Sequence, residues 1–328
     1  MNFLFLLGIV IAIFAGINIG GTGIAPALGP AVGSKIIGKT KAGFLMAIFS
    51  LIGAILIGPY VVETLGGGIT PSENFTLTAS LVVMGVIGFS LFATNLLKIP
   101  MSTSQVAVGS VVGLGLFSKS LHLDSLSHVL FWWFITPILS FLIAAIIGRY
   151  FYFSLNEKWG FKMDKGILGK LIVILLGCYV AFSIGGNNAA NAIAPLVGTG
   201  MISMSLGVFL GGLMIGLGAI TIGRRTMDTV GNEITEISLM GAVIVSGLTA
   251  VIVNLLSILG VPISLNQVLT ISVIGLGWGR ASRAIESVDT PKNMEELFSD
   301  DVSKKIMVFW VITPVISLLV TYFILSLI

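Results

Sequence analysis

"GGNNAANAIAP", residues 185–195, sets three asparagines inside a run that carries no Asp, Glu, Lys or Arg from Leu171 to Gly223. An amide buried in hydrocarbon is costly unless it is hydrogen-bonded, so Asn187, Asn188 and Asn191 must hold something. The stretch has an echo. "GINIGGTGIAP", residues 16–26, matches it at an offset of 169, which sets Asn18 against Asn187, Thr22 against Asn191 and Pro26 against Pro195.

Three further blocks repeat in the same order. "IGPYVVETLGGGIT" (57–70) answers "IGRRTMDTVGNEIT" (222–235), "IPMSTSQVAVGSVVGLG" (99–115) answers "VPISLNQVLTISVIGLG" (261–277), and "FWWFITPILS" (131–140) answers "VFWVITPVIS" (308–317). Four ordered matches describe one ancestral unit that was duplicated. The copies fall at about 1–150 and 168–328, and the polar stretch 151–167 joins them as a cytoplasmic linker.

Composition fixes the solvent. The chain of 328 residues is 56% hydrophobic and 9% charged, with a mean hydropathy of +1.09, whereas soluble domains carry about 25% charged residues. Charge-free runs over 1–34, 42–62, 74–97, 99–118, 125–148, 171–223, 237–279 and 306–328 meet or approach the length of about 20 residues that a spanning helix needs. The expected class is an all-α polytopic protein of the cell membrane. The N-terminal "MNFLFLLGIVIAIFAG" lacks a basic leader and is matched in style by "LIVILLGCYVAFSIGG" before the second motif, so it reads as a permanent helix. The lone Cys178 reads as a small packing residue. No cofactor, metal centre or nucleic-acid partner is expected.

Five crossings per copy are predicted, at about 3–33, 43–62, 77–97, 100–117 and 127–148, then 168–199, 205–222, 237–257, 262–279 and 306–327. With both termini outside, 16 of the 17 basic residues fall inside and only Lys119 outside, as the positive-inside rule asks. An odd number of crossings per copy makes the halves inverted repeats, the build of secondary transporters whose site lies at the repeat interface. The first crossing of each copy is overlong and interrupted by Gly and Asn, which predicts two half-helices joined by unwound backbone at Asn18, Gly20 and Gly21 and at Asn187. The fourth crossings open on Pro100 and Pro262, a residue suited to a first helical turn, and read as helix N-termini at membrane depth.

A helix N-terminus offers unpaired N–H groups and about half a positive charge, so four of them meeting mid-membrane make an anion cradle without lysine. Asn18, Thr22, Asn187, Asn188 and Asn191 add neutral donors, as do Ser102, Thr103, Ser104, Gln105, Ser264, Asn266 and Gln267. The combination predicts an oxyanion pocket. The same residues taken singly read as interhelical hydrogen bonds, worth about 0.6 kcal/mol each in membranes. Glu63 and Asp228 stand at equivalent positions and are the candidate coupling carboxylates. Arg224 and Arg225 have no counterpart in the first copy, where Pro59 and Tyr60 stand, and read as a topology signal. No His-Glu metal motif and no nucleophile beside a base marks a membrane enzyme.

On these motifs the chain resembles the inorganic phosphate transporter (PiT) superfamily, whose halves each carry Gly-Ala-Asn-Asp-x-x-Asn and, later, Pro-x-Ser-Thr-Thr-His. Where those carriers place Asp, this chain has Ile19 and Asn188; where they place His, it has Gln105 and Gln267. "TNLLKIPMSTSQVAVGSVVGLG", "IGGNNAANAIAPLVG" and "GRRTMDTVGNEIT" are most similar to its CysP-type sulfate permease branch. The resemblance implies a sulfate carrier in membrane lipid, most simply a proton symporter, working as a homodimer that moves a substrate-carrying domain against a scaffold. Loss of both aspartates also removes natural sodium ligands, although carbonyls of unwound helices can hold sodium without them. A phosphate carrier that has drifted at its signature, and a passive anion channel, are the competing expectations.

Overall fold

A computed structural model describes the backbone over residues 3–97, 102–160, 166–230, 238–286 and 300–328. Among these residues the regular structure is helical throughout, with no strand. Each predicted crossing holds one long helix. In the first copy these are α1 (Phe3–Gly33), α2 (Lys39–Leu56), α3 (Leu77–Leu97), α4 (Thr103–Phe117) and α5 (Leu123–Ile146). The second copy supplies α6 (Ile167–Gly198), α7 (Met204–Thr221), α8 (Leu239–Ile258), α9 (Leu265–Glu286) and α10 (Asp300–Leu327). Seven of them, α1, α2, α5, α6, α7, α8 and α10, contain segments long and apolar enough to cross a bilayer.

The chain breaks elsewhere than the sequence predicts. α1 and α6 run unbroken through Asn18 and Asn187, through Gly20-Gly21 and Gly185-Gly186, and past Pro26 and Pro195. Hydrocarbon supplies no water to an unwound backbone, so a helix that can keep its own ladder does so. The glycines serve close packing instead. A Cβ on Gly20 would lie 1.8 Å from the carbonyl oxygen of Ile215 in α7, and one on Gly185 would lie 1.8 Å from that of Ser50 in α2. Small residues that let two backbones touch replace the hydrophobic driving force that lipid cannot provide. Discontinuity falls at Ile57 and Ile222, where α2 and α7 give way to the short helices Gly58–Glu63 and Gly223–Val230.

Contacts between helices come in exchanged pairs. α1 packs on α7 as α6 packs on α2, α4 on α10 as α9 on α5, and α1 on α3 as α6 on α8. The four helices α1, α2, α6 and α7 pack on one another through small residues. Outward faces carry large apolar groups: α2 exposes Phe44, Ile48, Ile52 and Ile55 while burying Ala42, Met46, Ser50, Gly53 and Ala54. That arrangement suits lipid as the outer solvent.

Candidate functional site

Two helices begin beside the middle of α6. α4 starts at Thr103 behind Ser102, whose hydroxyl oxygen accepts the backbone N–H of Gln105 at 3.2 Å. α9 starts at Leu265 behind Ser264, whose oxygen accepts the N–H of Gln267 at 3.3 Å. These are serine N-caps. Pro262 therefore lies in the non-helical segment before α9 rather than in its first turn, and Pro100 lies outside the described residues. Two buried helix N-termini replace the four expected.

Asn187 is the fixed point of the region. It is fully buried. Its Nδ2 donates to the carbonyl of Ile263 at 2.6 Å, to Asn188 Oδ1 at 2.9 Å and to Ser104 Oγ at 3.2 Å. Its Oδ1 accepts Ser257 Oγ–H at 3.1 Å and the Ile263 N–H at 3.2 Å. Ser104 itself donates to the Ile263 carbonyl at 2.8 Å, and Trp133 of α5 donates to that of Pro262 at 2.8 Å. The non-helical backbone ahead of α9 is thus satisfied by side chains of α4, α5 and α6, as backbone at membrane depth requires.

In front of this network lies a small, partly open hollow. Its walls are Ile19, Thr22, Gly23 and Pro26 of α1, Thr103 of α4, Ile184 and Asn188 of α6, and Ser264, Leu265 and Asn266 at the start of α9. Both copies contribute. No wall residue is ionisable, and donors are presented by Ser264, Asn188 and the first N–H groups of α9. Ser264 spends its oxygen on the cap and keeps its hydrogen free; the N–H groups of Leu265 and Asn266 have no intrahelical acceptor. Asn188 Oδ1 accepts from Asn187, from Asn191 at 3.3 Å and from Thr103 at 3.4 Å, which leaves its Nδ2 for the hollow. Thr22 donates back to the carbonyls of Asn18 and Ile19. Such a site can receive a solute that accepts hydrogen bonds and carries negative charge.

Of the residues singled out in the sequence, the hollow gathers Thr22, Thr103, Asn188, Ser264 and Asn266. Asn187, Asn191 and Ser104 stand behind it as supports. Asn18 lies apart: it donates to the Phe14 carbonyl at 2.8 Å and accepts from Asn95 of α3 at 3.0 Å. Gly20 and Gly21 face α7 and the adjoining Ile222. Ser102, Gln105 and Gln267 are buried in the first turns of their helices and do not line the hollow. Glu63 is exposed at the end of its short helix, and the side chain of Asp228 lies outside the described residues. Arg224 reaches Thr40 of α2, in keeping with a role away from the hollow. Ile19, Gly23, Pro26, Ile184 and Leu265 escaped the sequence reading. Their signal was helical spacing: Ile19, Thr22, Gly23 and Pro26 share one face of an unbroken α1, and Ile184 sits one turn before Asn188.

Comparisons with known proteins bear on the family and the fold. A profile described as the phosphate transporter family matches residues 19–167 and again 156–321. The chain is 36% identical to the sulfate permease CysP of Bacillus subtilis (strain 168), over 98% of this chain and 87% of that protein. It is 25% identical to a putative phosphate permease of Methanocaldococcus jannaschii, over 97% of this chain and 96% of that one. Among solved structures, one titled "The sodium-dependent phosphate transporter" superposes over the full length of both chains with a TM-score of 0.79 at 22% identity, a likeness of fold.

Proposed function

The chain belongs to the phosphate transporter family, and on that premise we propose that it is a secondary transporter, not an enzyme, that imports a tetrahedral oxyanion, with sulfate as its substrate. One observation carries the choice of anion: the hollow is walled by neutral groups, and Asn188 offers a donor where the phosphate carriers place a carboxylate. Phosphate near neutral pH keeps at least one proton, which a carboxylate can accept. Sulfate has none and can only accept. A carboxylate 4 Å from a dianion costs about 8 kcal/mol at an effective dielectric of 20, twice the unit-charge figure. The relative named sulfate permease supports the same choice, while the relatives named phosphate permeases define the alternative. The rest of the reading is that the halves are inverted, that both termini lie outside, that the protein is a homodimer, and that one domain moves against the other.

Coupling by protons falls to Glu63 and Asp228, because nothing in the hollow titrates. A sodium-coupled reading has its own observation. Asn191 Oδ1 and Gln105 Oε1 are buried without a donor, and neutral oxygens of this kind are what a hard cation takes. Liposomes containing the purified protein decide both questions. Labelled sulfate is expected to enter by counterflow against excess phosphate; uptake abolished by equimolar phosphate rejects the sulfate reading. Imposing a pH gradient or a sodium gradient alone identifies the driving ion, and an ohmic current with neither dependence means a channel.

A further inference from the structure

We propose that Asn187 is a positioning residue that fixes which end of the Asn188 amide faces the substrate, and that this orientation rejects oxyanions bearing a proton. The inference rests on the carrier reading above and goes further, to the device that selects the anion. An asparagine amide has a donor end and an acceptor end of nearly equal shape, so its direction must be imposed by its neighbours. For Asn187 the direction is imposed by backbone. The N–H of Ile263 can only donate and its carbonyl can only accept, so Asn187 must turn Oδ1 to the first and Nδ2 to the second.

That choice propagates. With Nδ2 of Asn187 also 2.9 Å from the side chain of Asn188, the atom it meets there must be an acceptor, Oδ1. Asn191 and Thr103 add two more donors to the same oxygen. Reversing Asn188 would bring its NH2 group against two further amide NH2 groups, so the donor Nδ2 is held toward the hollow. The backbone of a single residue, Ile263, is thereby read through Asn187 into the polarity of the site. A sulfate oxygen accepts from that Nδ2. The hydroxyl of a hydrogen phosphate turned the same way meets donor against donor.

The experiment uses the full protein in liposomes and takes the ratio of the inhibition constants of phosphate and sulfate against labelled sulfate counterflow. Wild-type uptake is measured first; its absence defeats the carrier reading, whereas uptake with a ratio that the variants do not move defeats the orientation alone. Asn188→Asp keeps an acceptor for the three donors and sets a second oxygen toward the hollow. It is expected to lower the phosphate-to-sulfate ratio at least 100-fold. Asn187→Ala frees Asn188 to turn and should lower the ratio about 10-fold with Asn188 itself intact. Overturning results are an unchanged ratio in Asn188→Asp, whatever happens to absolute affinity, or an Asn187→Ala protein that weakens both anions equally. If Asn187→Ala does not fold, the volume-conserving Asn187→Leu takes its place, and an unchanged ratio there overturns the proposal.

Discussion

Removing Asn187 should loosen the fold as well as the site, and the size of the loss follows from its partners. In Asn187→Ala, Ile263 keeps its carbonyl bond from Ser104, but its N–H and the hydroxyl of Ser257 lose the acceptor they share. Two buried donors left unpaired cost about 1–3 kcal/mol each by soluble-protein experience, while interhelical bonds in membranes average about 0.6 kcal/mol. For two groups these figures run from about 1 to about 6 kcal/mol, and a loss of about 2 kcal/mol lowers Tm by about 3 °C in a chain of this size. Cys178 is the only cysteine and is buried in α6, about two and a half turns before the lesion. Its labelling by a thiol-reactive dye during a temperature ramp in detergent therefore reports opening of α6 directly. Ser110→Ala is the control, since Ser110 donates only within α4, to the Val106 carbonyl, and should shift Tm by less than about 1 °C by the same reckoning. An Asn187→Ala shift as small as that of Ser110→Ala would refute the account of Asn187 as the fixed point.

Ser264→Ala removes both the cap on α9 and a free donor in the hollow, so the sulfate uptake constant should rise about 5- to 150-fold, measured by counterflow; an unchanged constant takes Ser264 out of the site. Gly20→Ala forces a methyl group against the Ile215 carbonyl and should cost about 1–3 kcal/mol, seen as a lower Tm, whereas Gly33→Ala meets nothing within 4 Å and should be neutral. Glu63→Gln and Asp228→Asn should each make uptake insensitive to external pH if that residue carries the proton, and acid stimulation that survives in both assigns coupling elsewhere.

The helices were legible because most are long apolar runs bounded by charge or proline, and the duplication allowed each run to be read twice. The site was legible only as a set of residue types. Sequence placed Asn187 and Asn188 side by side as equals, yet one is spent on Ile263, Ser257 and Ser104 and the other faces the hollow. That division depends on which neighbours each amide meets across α4, α8 and α9, and no spacing within α6 encodes it. The breaks were misplaced for a related reason. Gly20 and Gly185 look alike as hinges and as packing contacts until the opposing carbonyl is seen. Asn18 was grouped with the hollow through its repeat partner, but the duplicated halves diverged here: Ile19 stands where Asn188 stands, so one side of the site became apolar.

The loop from Val261 to Ser264 is pinned by indole, amide and hydroxyl groups from three other helices. α1 meets the same hollow with Ile19, Gly23 and Pro26, which bring no polar side chain, and with Thr22, whose hydroxyl turns back to its own helix. One wall is held by polar ties and the facing wall by the close backbone packing of α1 on α7. Tilting α9 alone tears out at least four polar ties, so α4, α5, α6 and α9 hold this wall of the hollow as one unit.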